Sequence, residues 1–394
     1  MWAWALLIGY AGAIGFLLLN AHGLSDYQGR PLGSDFSNIY AAGIEADAGH
    51  AADIYDPAKH HAAEQAIFGA KTPFYGWHYP PFLLLVAAPL AHLSYFAALA
   101  VWQAVTFALY LGATALLLRN SAARIRDTSW VLFAAAFPAV FANLLAGHNG
   151  FLTAALLAGA LALLDRRPLA AGLLFGFLAY KPQFGMMIPL VLIATARWRT
   201  IGTAALAVAV LAILSTFLFG EGVWTAFLGS EKFTRTVVLE AGNTGFYKIQ
   251  SMFAWVRMWG GPVPLAYAVQ GAVTLASGVA LWVLWRKPAP AEVKGAALCI
   301  ASILATPYSL DYDLMVLAPA AALLWVDGTA RGFPPFQKSA VAALWLAPFL
   351  ARTVPAYTFI PVACPIMLAA FVLTLRHAKR AKEAGRPADY FASA

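Results

Sequence analysis

Charge is scarce in this chain. Only 11% of its 394 residues are Asp, Glu, Lys or Arg, against about 25% in ordinary soluble domains. So little charge does not cover a water-facing surface, which excludes a soluble globular protein and makes lipid the solvent. Cysteine is scarcer still. Cys299 and Cys364 stand in apolar stretches with no His or Cys at ligand spacing, which argues against a disulfide framework and a zinc site. GxGxxG, Walker, GxSxG, HExxH and CxxC signatures in a supporting context are also missing, as is a soluble nucleotide-binding domain. If a group is transferred, its donor arrives through the membrane rather than as a nucleotide sugar.

What is abundant is apolar surface: 61% hydrophobic residues and 13 Trp, rings suited to the two bilayer interfaces. Apolar runs fall at about 2–19, 80–93, 95–118, 129–146, 151–164, 168–180, 184–196, 201–219, 263–285, 293–307, 312–326, 338–351 and 357–375. A membrane-crossing helix needs about 20 residues, so the shorter runs cross only if their polar flanks line a wetted cavity. The first run has no basic residues before it and is followed by Asn20-Ala21-His22-Gly23, a poor cleavage site, so it reads as a retained helix.

Orientation follows from Lys and Arg. Arg119, Arg124 and Arg126 share a side with Arg166/Arg167, Arg197/Arg199, Arg286/Lys287/Lys294, Arg331/Lys338 and the tail from Arg376 to Arg386 if one run does not cross. The best candidate for that run is 80–93, opened by Tyr79-Pro80-Pro81 and read as an interfacial or re-entrant helix. The expected fold is therefore all-α and polytopic, with about 12 transmembrane helices in one domain over 1–394 and both termini cytoplasmic. The basic surplus of +8 is then a topology signal and not a nucleic-acid footprint. Two outer segments, 21–79 and 220–262, carry the aromatic and aliphatic spacing of surface-lying helices. The basic tail, 377–394, reads as a cytoplasmic headgroup anchor.

Five groups carry candidate chemistry. Asp35, in Gly33-Ser34-Asp35-Phe36, is either a helix N-cap or a carboxylate that takes a proton from a hydroxyl. Lys181, in Tyr180-Lys181-Pro182-Gln183, interrupts an apolar hairpin; it either snorkels or lines a cavity where a cation suits a phosphate leaving group. Gly147-His148-Asn149-Gly150 is a turn or a part of the same outer site. Asp311 and Asp313, flanking Tyr312, either cap the next helix or hold a divalent ion. Trp77-His78-Tyr79-Pro80-Pro81 supplies amphipathic rings, as an aromatic belt or as donor contacts.

Four stretches taken in order resemble glycosyltransferase family 87, multi-pass enzymes of the GT-C class. They are Ser34-Asp35-Phe36…Tyr40-Ala41-Ala42-Gly43 with Ile54-Tyr55-Asp56; Tyr79-Pro80-Pro81-Phe82 with Pro89-Leu90; Gly147-His148-Asn149 with Ala171-Gly172…Gly176-Phe177…Lys181-Pro182-Gln183; and Thr306-Pro307-Tyr308-Ser309. Where the family usually has Gln the chain has His148, and where it often has His the chain has Tyr312. The resemblance implies an inverting transfer of a sugar, mannose by analogy, from a polyprenyl-phosphate donor to a hydroxyl of a glycolipid or glycan acceptor at the extracytoplasmic face of the plasma membrane. In it Asp35 is the general base. Lys181, His148, Asn149, Tyr79, His78, Gln183 and Lys248 meet the donor phosphate and lipid, and Asp311, Tyr312 and Asp313 serve acceptor or support. A monophosphate donor requires no metal on charge grounds, although the two aspartates leave a divalent ion open. The alternative class is a lipid or glycolipid transporter, which would gather polar groups near the bilayer midplane.

Overall fold

Backbone amides in hydrocarbon must be satisfied within their own segment, and the apolar runs accordingly form helices. The computed structural model describes residues 2–123, 125 and 127–383. Arg124, Arg126 and the end of the basic tail thus lie outside the described residues. Among those described, helices dominate and only isolated β-bridges occur. In chain order the α-helices are α1 Trp2–Leu19, α2 Ser34–Asp47, α3 Pro57–Phe68, α4 Leu84–Ala91, α5 Tyr95–Asn120, α6 Ser129–Ala135, α7 Pro138–Ala146, α8 Gly150–Leu163, α9 Pro168–Phe177, α10 Pro182–Gly185, α11 Met187–Ala194, α12 Trp198–Phe219, α13 Gly222–Phe233, α14 Met252–Met258, α15 Val263–Arg286, α16 Ala291–Leu304, α17 Leu317–Arg331, α18 Gln337–Leu350, α19 Thr353–Thr358 and α20 Ala363–Glu383.

Five helices are long and apolar enough to cross a bilayer: α1, α5, α12, α15, and α17 together with the 3-10 turn that precedes it from Asp311. A sixth span results if α6 and α7, bent by 54°, count as one. By length and composition the number is thus about half the dozen expected from the runs. The reason is local. Pro138 follows Phe137 and breaks the 129–146 run, because proline donates no amide and pushes the preceding residue out of the α region. Pro182 does the same after Lys181, separating the α9 stretch from α10 and α11. The last run begins late, at Ala363, because left-handed Phe359 and then Pro361 interrupt it.

Burial sorts the helices into centre and rim. In α16 every residue but Ala291 and Lys294 is buried, and α8 is nearly as enclosed. By contrast α1 and α12 turn most of their apolar side chains outward, as helices bathed in lipid do. The motif Ala171-Gly172…Gly176 serves packing: a Cβ on Gly172 would stand 2.6 Å from the Thr200 carbonyl oxygen and one on Gly176 2.8 Å from that of Ala204. Small residues four apart let α9 and α12 touch backbone to backbone.

Helices also occupy the two long segments 21–79 and 220–262. α2 and α3 lie within 21–79, with the Asp56 carboxylate accepting from the Ala58 and Lys59 amides to cap α3. α13, a π-helical turn Thr234–Glu240, a 3-10 turn Phe246–Lys248 and α14 fill 220–262. The run at 80–93 becomes a 3-10 turn and α4, which packs along α2; Gly43 permits that approach, since its Cβ would fall 2.2 Å from the Ala87 carbonyl oxygen.

Candidate active site

The first turn of α2 sets the position of Asp35. Gly33, in the left-handed region, occupies the N-cap, and no side chain caps the helix. Asp35, inside the first turn, is therefore not the cap. The turn before α8 docks against it: Gly147 adopts φ +65, and a Cβ there would lie 2.5 Å from Phe36 Cβ. Only glycine tolerates both conditions. Beneath, the Phe36, Tyr40, Tyr95 and Trp102 rings pack together. Trp102 Nε1 donates to the Gly147 carbonyl at 2.9 Å, and the Tyr95 hydroxyl donates to the Leu32 carbonyl.

Asp35 is half-buried. Desolvation, with Asp311 adding repulsion, raises its pKa to about 7, while Arg352, Lys181 and Lys248 pull it down. Charged groups from five separate parts of the chain thus meet in a single region. A carboxyl group poised near neutrality has the proton affinity a general base needs.

The cations differ in availability. Lys181 sits in the break between Tyr180 and Pro182 and donates from Nζ to Asp313 Oδ1 at 2.6 Å, both side chains 4% exposed. The other oxygen of Asp313 accepts from the Leu310 amide at 2.9 Å, so Asp313 both caps its own turn and holds Lys181. Arg352 Nε meets Asp311 Oδ2 at 3.1 Å, with the arginine 53% exposed and the aspartate 7%. Lys248 is half-buried over the Tyr247 ring. Asp311 and Asp313 thus each face a cation of their own, and among the described residues no cluster of His, Cys, Asp and Glu has the form of a metal site.

Gln250 assembles this region. Its buried side chain donates to the Ala351 carbonyl at 2.5 Å and accepts from the Ala363 amide at 3.2 Å. Its backbone amide donates to the Ser309 carbonyl at 2.7 Å, and the Ser309 hydroxyl donates back to its carbonyl at 2.9 Å. One residue so registers Lys248, Arg352 and the Asp311–Asp313 turn.

His148 and Tyr312, the two departures from the family pattern, are in contact. Their rings stack with centroids 3.4 Å apart, and the Tyr79 hydroxyl lies 3.3 Å from His148 Nε2. The Tyr55 hydroxyl donates to the Tyr79 carbonyl at 3.0 Å, which ties Tyr79 to the first outer segment. Asn143 donates to the Tyr312 carbonyl at 3.0 Å and accepts from the Gly150 amide at 2.9 Å. Several buried polar atoms here have no hydrogen-bond partner within the protein: His148 Nδ1, both polar atoms of the Asn149 amide, and Asp311 Oδ1. Buried polar groups are normally paired, so this concentration marks a place built to meet something else.

Two predicted residues stand aside. His78 Nδ1 is 2.9 Å from Thr234 Oγ1, on the side of the second outer segment, and Gln183 is half-buried on α10. Sequence reasoning did not single out Arg352, Gln250 or the buried set Asn38, His60 and Glu64. His60 Nε2 is 2.9 Å from Asn38 Oδ1, and Asn38 Nδ2 donates to the Gly76 carbonyl at 2.5 Å. Burial lifts Glu64 to about 8 and lowers His60 to about 3, so at neutral pH their 3.8 Å approach joins two neutral groups. A lone arginine in the short connection after the 338–351 run was the available signal for Arg352.

The helical frame, with several helices apolar and long enough to cross a membrane, thus carries a near-neutral carboxyl group set among cations. Residues 77–307 match glycosyltransferase family 87, and the chain belongs to that family. It is accordingly a membrane enzyme that transfers sugars. The matched span holds Tyr79, His148, Asn149, Lys181 and Lys248; Asp35, Asp311 and Arg352 fall outside it. Comparison with curated proteins and with solved structures yields no match.

Proposed function

We propose that this enzyme moves a sugar, mannose by family resemblance, from a polyprenyl-phosphate donor to an acceptor hydroxyl of a glycolipid or glycan, in one displacement with inversion. The acceptor oxygen attacks the anomeric carbon as Asp35 takes its proton, and the bond from that carbon to the phosphate oxygen breaks. The leaving polyprenyl phosphate gains negative charge, which nearby cations stabilise. Arg352 and Lys248 have the freer charge for this role. Lys181, neutralised by Asp313, orients that aspartate and the Tyr312 ring. The unpartnered groups of Asn149 and His148 receive sugar hydroxyls. No step calls for a metal.

The observation that carries this reading is the Asp35 carboxyl group, raised to about 7 while three cations act on it. The basic helix ends, including Arg119, Arg166, Arg197, Arg286 and Arg331, belong on the cytoplasmic side by the charge rule, with both termini. The site then faces the exterior, and the short apolar helices complete the dozen crossings as pairs around wetted breaks. The test incubates the purified protein with polyprenyl-phosphate-mannose and a glycolipid acceptor and measures released polyprenyl phosphate. Release by the unaltered protein that Asp35→Asn abolishes supports the mechanism. Equal release by both removes Asp35 from it, and donor movement across vesicles without release favours a transporter.

A further inference from the structure

A polar cavity lies at the other end of the same helices. Tyr95 at the start of α5 packs on Phe36, the neighbour of Asp35, and Asn120 at its end lines this cavity. Twenty-six helical residues span about 39 Å, so the two places belong to opposite membrane faces. α8 and α16 run the same way: Gly150 opens α8 beside the Tyr312 carbonyl and Leu304 ends α16 shortly before Asp311, while Asp165 and Glu292 line the cavity. Its volume is about 190 Å³.

The lining is arranged to meet an anion. Both of its acids are engaged: Asp165 holds Arg197, and Glu292 accepts from the Ala122 amide at 2.7 Å and lies 3.3 Å from Arg331. Two cations have neutral partners instead. Arg166 donates to Asn120 Oδ1 at 2.6 Å, and Lys294 Nζ donates to the Trp285 carbonyl at 3.3 Å; among the described residues no ion pair involves either. Two buried donors of the lining, Arg197 Nε and Trp285 Nε1, have no acceptor in the protein. Uncompensated positive charge beside unpaired N–H donors is the arrangement that oxyanions satisfy.

We infer that this cavity binds a phosphate group, supplied by the headgroup of an anionic lipid in the leaflet opposite the catalytic site. A basic pocket between membrane helices on the positively charged face is suited to such headgroups. The aromatic Trp285 and the apolar Leu117, Leu161 and Leu323 line the same cavity, apolar surface that accepts the start of the acyl chains. Arg166 and Lys294 meet the phosphate, and Arg197 and Trp285 donate to its oxygens.

The full-length protein, purified in neutral detergent with added phosphatidylglycerol, phosphatidylcholine or inorganic phosphate, gives the test by native mass spectrometry and thermal unfolding. The unaltered protein is expected to retain phosphatidylglycerol over phosphatidylcholine. Lys294→Gln and Arg166→Gln each weaken that retention about fivefold, and Lys294→Arg preserves it. Stabilisation by inorganic phosphate alone, lost in Lys294→Gln, would keep the anion site and transfer its source from lipid to solution. Retention equal for both lipids, with no phosphate response and no effect of either glutamine, overturns the proposal.

Discussion

At the residue scale, one carboxyl group is held near neutrality by opposing influences. Desolvation and Asp311 raise Asp35, and Arg352, Lys181 and Lys248 lower it. As a base it must be ionised, so transfer is expected to rise with pH through about 7. Arg352→Gln removes a lowering charge and moves that acidic limb upward; Asp311→Asn removes a raising one and moves it downward. Rate against pH in the two variants checks both directions. The same shift bears on stability. A folded pKa above the unfolded value of about 3.9 adds stability while the group is protonated and loses it as pH rises from there through about 7. Asp35→Asn is therefore expected to lower transfer by about 10²–10⁴ while raising the unfolding temperature at pH 8, a pairing that calorimetry and the release assay read together.

At the scale of elements, two joints keep the site in register. The turn before α8 reaches the first turn of α2 only because Gly147 has no Cβ and takes a positive φ. Gly147→Ala should cost about 2 kcal/mol from backbone strain alone, with more from the contact to Phe36, seen as a lower unfolding temperature and a weaker transfer rate. Gln250 is the second joint. Gln250→Ala leaves the Ala351 carbonyl and the Ala363 amide unpaired, a loss of about 1–3 kcal/mol. Because those bonds carry Arg352 and Lys248, the donor KM should rise more than kcat falls; donor titration distinguishes this from simple loss of folded protein.

At the scale of the whole molecule, the long central helices join two chemically distinct ends, one around Asp35 of mixed charge and rich in aromatic rings and a basic one around Arg166 and Lys294. The charge rule assigns the basic end to the cytoplasm. Ala48 and Lys287 are exposed on opposite ends, and the native cysteines are buried. In intact cells Ala48→Cys should react with an impermeant thiol reagent and Lys287→Cys only after permeabilisation; the reverse pattern would turn the enzyme round.

Composition and patterning alone determined that this chain lives in lipid, folds as helices and carries its positive charge at one set of helix ends, because each depends on local hydrogen bonding and on the transfer of side chains between water and hydrocarbon. Motifs read along the chain also pointed to Asp35, His148 and Lys181. Only tertiary structure decided their company: Lys181 tied to Asp313, Asp311 to Arg352, His148 laid on Tyr312, and Asp35 left out of the helix cap. Those meetings join residues from different helices and turns, and they arise from how breaks at Lys181, Gly147 and Leu310 pack against one another. Helical periodicity contains no term for such contacts. Nor do apolar runs fix the helix ends, since a run measures hydrophobic length, whereas proline and packing decide where a helix stops.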